Sequence, residues 1–543
     1  MIKIRKTFEI NYTLLMLAVY FLSMQLRPLF SPNEVLCAEF AREIALSGDW
    51  FSLQLNSEIF KPGIIPGVQL SALLVKCFGA SRFIVRLLPF VSVCIYAWML
   101  YYFLRSRSYS RLTGQFAVCI LLTMPAVFFY GCSAMPDILF TVFTILCYGV
   151  LLCCQERYRK IVPSMLVYLI SGVIAGIACC LKDFGGLLIP LAAFAIYSIT
   201  EKRYKELLLF PGIMFIECLV ILLCWNLCNP HVEYLHWLSE LTAEHTRLQF
   251  KLCPPRRILI LLAGTLFWLP FFTASCIGLG KKLWKDSTLR FTGIFLCTVL
   301  CYFLFIDSSV AVILLIVFPL TILTVAGAKH WLILQRLELG LNIFAIVLLL
   351  LDFAAVLLLF CGFFEKGGWL HFFGKDEAAI WLLTIVALCF SGVSLFFMLH
   401  EKRLWYKIRC YLNSLFPLFM VVMCIYPRAF IAGFAPSAGL HGLPELRKDT
   451  MICTSSEALP DVCWGLKRND VVLLDSGDPF KEWKRRLGNE KFGSVLLILK
   501  SSEWEKGKNS GIFPDDPTWQ KTWKRNVPYK IVMYQYNTRE LKK

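Results

Sequence analysis

Apolar residues run in long stretches along this chain, and the polar positions gather between them. Runs of about 20 apolar residues, the length that crosses a hydrocarbon core of roughly 30 Å, can be read near 8–30, 83–104, 112–131, 136–154, 162–180, 184–200, 206–228, 257–279, 289–306, 309–326, 339–363, 378–399 and 411–434, thirteen in all. The pattern predicts a mostly α-helical, polytopic membrane protein. The first run has a basic start (Lys3, Arg5, Lys6), but its core is long and no A-x-A site follows, so a retained helix is expected rather than a cleaved signal peptide.

The polar segments predict an orientation. With the N-terminus inside, the inner connections are RSRSYSR, QERYRK, EKRYKE, GKKLWKDSTLR, the KHWLILQR stretch and HEKRLWYKIRC, each with at least two basic residues. Short outer connections such as GCSAMP carry few or none, as the positive-inside rule requires. An odd number of spans then leaves the tail outside. The tail holds the apolar runs DVVLLD and GSVLLILK between polar segments, which predicts a small exported α/β domain. The expected division is therefore a membrane domain over 1–434 and a soluble domain over 435–543.

Two outer connections are long, near 31–82 and 229–257. The first opens with SPNEVLCAEFAREIALSGDW, which carries Glu34, Glu39, Glu43 and Asp49. Leu36, Phe40 and Ile44 recur at i, i+4 and i+8, with Ala41 beside them, so a helix lying on the membrane surface is expected, with Gly48 as its stop. The apolar piece over 63–78 is too short and too rich in Gly and Pro for a span.

Composition narrows the function classes. The 543 residues are 58% hydrophobic and 15% aromatic, with a mean hydropathy of +0.65, which is too apolar for a soluble protein of this size. The net charge of +18 sits in the short clusters between apolar runs; topology explains it, and no nucleic-acid partner is expected. Most of the 23 cysteines lie inside apolar runs, where Cys acts as a small hydrophobe, and none shows metal-ligand spacing. Cys453 and Cys463 fall in the tail, where a disulfide and two thiols are both open.

Charge at a membrane face is expensive and usually functional. The outer-facing charged and amide groups are Asn33 and Glu34, Lys61, Asp137, Lys182 and Asp183, then Glu244, His245 and Arg247. For any one of them a solvated loop charge is the plainer reading; their placement on one side favours a site. Lys61, Lys182 and Arg247 suit a phosphate, Arg as a bidentate fork and Lys as a point charge. A nearby carboxylate suits removal of a proton from an acceptor hydroxyl as it attacks a sugar's anomeric carbon. Together these describe glycosyl transfer from a polyprenyl phosphate.

The segments NEVLCAEFAREIALSGDW, FKPGIIPGVQLSALLVKCFGASRFIVRLLP, MPDILFTVF and GIACCLKDFGGLLIPL, in that order, resemble the C-superfamily membrane glycosyltransferases. The nearest branches are the lipid A aminoarabinose transferases and the protein O-mannosyltransferases, and the likeness covers roughly residues 1–330. The resemblance implies the GT-C fold and transfer from a polyprenyl-phosphate-linked sugar to a lipid, glycan or protein acceptor. It also implies a multi-pass location in a bacterial inner membrane. Asn33, Glu34 and Asp137 become the catalytic candidates, Lys61, Lys182 and Arg247 the donor-phosphate contacts, and Glu244 and His245 candidate acceptor or metal contacts. A divalent metal ion is admitted by the resemblance, and no other cofactor is.

The chain departs from the family pattern at named positions. The family's first outer loop opens with Asp-Glu, its Asp being the proposed base, where this chain has Asn33 and Glu34; an amide cannot accept that proton. Leu36 and Cys37 replace an Arg-Tyr pair, Phe60 replaces a proposed metal-ligating Glu, and YFLFIDSSVAVILLIVFPLTIL lacks a Lys and a Tyr. An active transferase using Glu34 or Asp137 therefore stands beside a non-catalytic relative that binds the carrier lipid. A transporter is a third alternative, against which stand the missing inverted repeat and the few mid-membrane charges, Glu217 and Asp352 excepted.

Overall fold

The computed structural model describes residues 2–29, 33–59, 66–156, 164–182, 184–227, 255–306, 310–331, 378–401, 404–419, 450–474, 494–509, 517–523 and 529–535, with short pieces among 342–353 and 440–447. The chain is mostly α-helical. In order come α1 (Ile2–Leu26), α2 (Asn33–Ser47), the strands β1 (Gln54–Leu55) and β2 (Glu58–Ile59), then α3 (Pro66–Phe78), α4 (Arg82–Ser106), α5 (Arg111–Leu122), α6 (Pro125–Gly131), α7 (Asp137–Glu156), α8 (Ser164–Leu181), α9 (Gly185–Thr200) and α10 (Tyr204–Leu227). Further helices include Pro255–Thr265, Leu269–Leu279, Ser287–Phe305, Val310–Trp331, Ala378–His400 and Leu404–Phe419.

Two compact units result. The first comprises Met1–Met24, Pro62–Gly67 and Arg86–Cys424. Among the described residues three helical stretches are long and apolar enough to cross a membrane, Arg82–Ser106, Arg257–Leu279 and Ser287–Phe305, or four if α5 and α6 form one bent span. Shorter apolar helices accompany them, and the runs read near 339–363 and 411–434 fall largely outside the described residues.

The single span expected over 112–131 is instead bent by 70° between α5 and α6. Pro125 at the start of α6 cannot continue the ladder of α5. The polar groups freed at the break find partners. Thr123 donates to the Cys119 carbonyl at 2.7 Å and accepts from Trp268 Nε1 at 2.8 Å, and the Tyr20 hydroxyl donates to the Leu122 carbonyl at 2.9 Å. Broken helices persist in lipid only on that condition. The same device recurs deeper in the unit, where buried Tyr12 donates to Leu412 O and Tyr96 to Leu314 O, each at 2.8 Å.

Small residues let helices approach. On α8, Gly172 and Gly176 repeat at i, i+4 and face α10: a Cβ at Gly172 would lie 2.7 Å from Glu217 Cβ, and one at Gly176 would lie 2.9 Å from Ile221 Cβ. This is the close packing that lipid-embedded helices use for cohesion. It places the half-buried Glu217 in a helix contact; Asp352 lies outside the described residues.

The second unit comprises Gln25–Lys61, Val68–Val85 and Ile425–Lys543. Its centre is a five-stranded sheet of β3 (Thr450–Thr454), β4 (Val471–Leu473), β5 (Ser494–Lys500), β6 (Trp519–Trp523) and β7 (Tyr529–Gln535), in the order β4-β3-β5-β7-β6. β3 runs parallel to β4 and β5, and β7 runs antiparallel to β5 and β6. The runs DVVLLD and GSVLLILK supply β4 and β5, as the sequence predicts. Alternate residues of β5 serve two cores: Leu496 and Ile498 pack with Val462, Cys463 and Ile531, while Val495, Leu497 and Leu499 pack with Cys453, Val532 and Trp504. Burial on both faces explains the unbroken apolar stretch. Cys453 and Cys463 sit on opposite faces of the sheet, and no disulfide joins them.

The stretch expected on the membrane surface is the helix α2, ending where Gly48 adopts φ +75°. Its setting differs from that expectation. Glu34, Glu39, Arg42 and Glu43 are buried along with Val35, Phe40 and Ile44, because the helix packs on Leu459–Leu466 of the sheet region and on β1. Its polar face is covered by protein.

Candidate functional site

In the membrane unit, Asp137 and Lys182 come together. Asp137 opens α7 and Lys182 follows the last residue of α8. Each charge suits the partial charge of the helix end it occupies, negative at an N-terminus and positive past a C-terminus. Lys182 Nζ lies 3.4 Å from Asp137 Oδ1, with the two side chains 19% and 23% exposed. The ammonium also stands 5.7 Å from the Phe140 ring centroid, one turn along α7. Pro136, just before Asp137, is pressed against Gly67 at the start of α3, where a Cβ would meet Pro136 Cβ at 2.3 Å. The start of α7 is therefore fixed from behind.

A half-open ion pair of this kind has a definite chemical capacity. Lys182 can turn to a phosphate without leaving a buried orphan charge, and the carboxylate it releases is an acceptor for a hydroxyl proton.

In the second unit, Asn33 and Glu34 begin α2. Successive helical residues point about 100° apart, and the two side chains part accordingly. Asn33 is exposed, whereas Glu34 is buried and paired with Arg27 at 3.5 Å, both side chains being 1% exposed. Sequence reasoning passed over Arg27. A signal for it existed: it is a lone arginine at the outer end of the first apolar run, where the positive-inside rule leaves few basic residues. Further along α2, Arg42 binds both oxygens of Glu39 and also Asn469, and Glu43 accepts from the backbone N–H groups of Asn56 and Ser57 at 2.5 and 3.2 Å. In the sequence these acidic residues stand out only as a pattern.

Lys61, Asp183, Glu244, His245 and Arg247 lie outside the described residues. Among the described residues no three His, Cys, Asp or Glu side chains converge as a metal set would, and Phe60 stands where the resemblance implies a metal-ligating Glu.

Comparison with known proteins follows the same lines. A family model for dolichyl-phosphate-mannose-protein mannosyltransferases matches residues 67–227. The undecaprenyl phosphate-α-4-amino-4-deoxy-L-arabinose arabinosyl transferase of Yersinia enterocolitica is 24% identical over 531 residues, covering 90% of this chain and 92% of the relative. Its counterpart in Erwinia tasmaniensis is 22% identical over 91% and 94%. The crystal structure of ArnT from Cupriavidus metallidurans bound to undecaprenyl phosphate superposes with a TM-score of 0.72 at 14% identity, covering 96% of this chain and 97% of that one. The chain has that fold. It resembles the C-superfamily membrane glycosyltransferases along nearly its whole length, well beyond the first 330 residues whose motifs carry the likeness.

Proposed function

We propose that this protein is an integral membrane glycosyltransferase that moves a sugar from a polyprenyl-phosphate donor to a lipid, glycan or protein acceptor on the outer face of the membrane. The observation that carries the reading is the partly exposed Asp137–Lys182 pair at the start of α7, in a chain with the fold of a transferase solved with undecaprenyl phosphate. In the reaction, the Asp137 carboxylate takes the proton of the acceptor hydroxyl as its oxygen bonds to the anomeric carbon. The bond from that carbon to the phosphate oxygen breaks, and the polyprenyl phosphate leaves with the electron pair. Lys182 stabilises the departing charge, joined by Lys61 and Arg247. Asn33 orients the acceptor through its amide.

The accompanying topology is thirteen spans with a cytoplasmic N-terminus and the sheet domain outside, in a bacterial inner membrane. The basic inner connections support it.

The test is turnover of a radiolabelled polyprenyl-phosphate sugar by the purified chain. Native protein is expected to transfer, Lys182→Ala to raise KM for the donor, and Asp137→Asn to lower kcat by about 10²–10⁴-fold, the usual range for a lost general base. A second reading has its own observation: position 33 is an amide and Glu34 is engaged with Arg27, as in a relative kept for binding the carrier lipid. Lysine-dependent lipid binding without transfer, with turnover appearing in Asn33→Asp, would establish that reading and overturn the first.

A further inference from the structure

Most of the first outer connection and the C-terminal tail belong to one compact unit. The join is specific. Between β1 and β2 the chain turns through Asn56 and Ser57 alone, both at positive φ, +58° and +63°. That is the signature of a two-residue type I′ hairpin, in which Asn is favoured at the first position. The Asn56 side chain then reaches the tail: its Nδ2 donates to Val471 O at 2.6 Å, and its Oδ1 accepts from Val471 N at 2.9 Å. Val471 begins β4, the edge strand of the sheet. The amide thus takes the place of a neighbouring strand at this point of the sheet's edge.

The same turn is bound to α2 from the other side. Both carboxylate oxygens of Glu43, itself 1% exposed, accept from the Asn56 and Ser57 N–H groups. One turn of sequence away from β4, Asn469 accepts from Arg42 of α2, whose guanidinium also holds Glu39. The helix is therefore fastened at its middle to residues 469–471 by two routes, one direct and one through the hairpin. Its N-terminal end carries Asn33 and Glu34.

We propose that the C-terminal sheet domain is a positioning element for the transfer reaction, and that Asn56, Glu43 and Arg42 are the positioning residues through which it aims the start of α2. This deepens the transferase reading and rests on it. Loss of the tether loosens the helix that carries Asn33, and so its aim, without removing any group that touches substrate.

The decisive variant is Asn56→Gly. Glycine adopts positive φ without strain, so the turn and its Glu43 contacts persist while the amide bridge to Val471 is lost. Ser57→Gly alters the same turn and leaves the bridge intact. Two readouts are taken on the full-length protein in nanodiscs: transfer kinetics with a radiolabelled polyprenyl-phosphate sugar, and hydrogen exchange by mass spectrometry. For Asn56→Gly, kcat is expected to fall at least tenfold with the donor KM changed less than threefold. Exchange across 33–47 should accelerate at least tenfold while β3 and β5 keep native exchange. Ser57→Gly should match the native protein in both. Native kcat in Asn56→Gly overturns the proposal, as does exchange rising equally in β3 and β5, which would mean plain loss of stability. If the native chain transfers nothing, the transferase reading falls; native exchange across 33–47 in Asn56→Gly would then overturn the tether, and accelerated exchange confined to that helix would uphold it.

Discussion

Substituting Arg42 by Met leaves the fully buried Glu39 carboxylate without the guanidinium that holds both its oxygens. Two unit charges about 4 Å apart attract by about 4 kcal/mol at an effective dielectric of about 20, and removing one partner of a buried pair costs about 3–5 kcal/mol. Burial already pushes the Glu39 carboxyl above its ordinary value, so protonation relieves part of that cost and the low end, about 3 kcal/mol, is expected. For a unit of roughly 150–250 residues each kcal/mol moves the melting midpoint by about 2–4 °C, so Arg42→Met should melt this unit about 6–12 °C early. The double variant Glu39→Gln, Arg42→Met removes both charges and should lie within about 1 kcal/mol of native. Cys453 and Cys463 are buried thiols in this unit, so maleimide labelling of those two positions along a heat ramp, read by peptide mass spectrometry, reports its opening. Equal loss in the single and double variants would refute the reasoning, because the cost would then belong to the missing side chain's volume and not to a stranded charge.

Three further outcomes follow from particular contacts. Gly67→Ala sets a Cβ 2.3 Å from the rigid Pro136 ring; overpacking of this kind costs about 1–3 kcal/mol, and since Pro136 precedes Asp137, transfer should fall while donor binding through Lys182 is retained. Unaltered turnover would show that the start of α7 is not held this way. Gly176→Leu should separate α8 from α10, since even a Cβ would lie 2.9 Å from Ile221; a lower melting midpoint of the membrane unit is expected, and a native midpoint contradicts the close approach. Glu39 gives a pH dependence: burial raises its carboxyl in the folded state above the ordinary 4.5, Arg42 pulling it partly back. Through the interval above 4.5 the folded protein holds a proton that the unfolded chain has released, so stability falls as pH rises and levels off once the folded group has ionised. Glu39→Gln should lack that fall in the range just above pH 4.5, and parallel curves for the two proteins would exclude Glu39 as its source.

Much of the fold was legible because its signals are local. Apolar runs announce membrane helices by length, and β4 and β5 by composition, without knowledge of what they touch. The period of Leu36, Phe40 and Ile44 and the stop at Gly48 likewise gave α2. Its burial was not legible. Glu39 is held by Arg42 of its own helix, but Arg42 also donates to Asn469, and Glu43 accepts from a hairpin turn locked onto Val471; Asn469 and Val471 lie more than 400 positions away along the chain, and no periodicity within 31–50 encodes partners at that distance. The break at Thr123–Pro125 escaped for a related reason. The run is continuous in hydropathy, and what makes the bend tolerable is a hydroxyl from Tyr20 and an indole from Trp268.

The site divides in the same way. Asp137 and Lys182 were legible as charges at the outer ends of two apolar runs, and helix ends that share a face bring such charges together. The choice between carboxylates was not. Glu34 and Asp137 carry equal weight as letters, but their surroundings assign them different work. Glu34 is 1% exposed and held by an equally buried arginine; withdrawing it to accept a proton would break a fully buried ion pair, which is a heavy cost. Asp137 is about a quarter exposed beside a lysine of similar exposure, so an arriving phosphate can draw Lys182 away while water still solvates both groups. A donor that binds through Lys182 thereby frees the carboxylate that the acceptor needs. In the proposed reaction the base is unmasked by its own substrate, and an amide at position 33 is compatible with turnover.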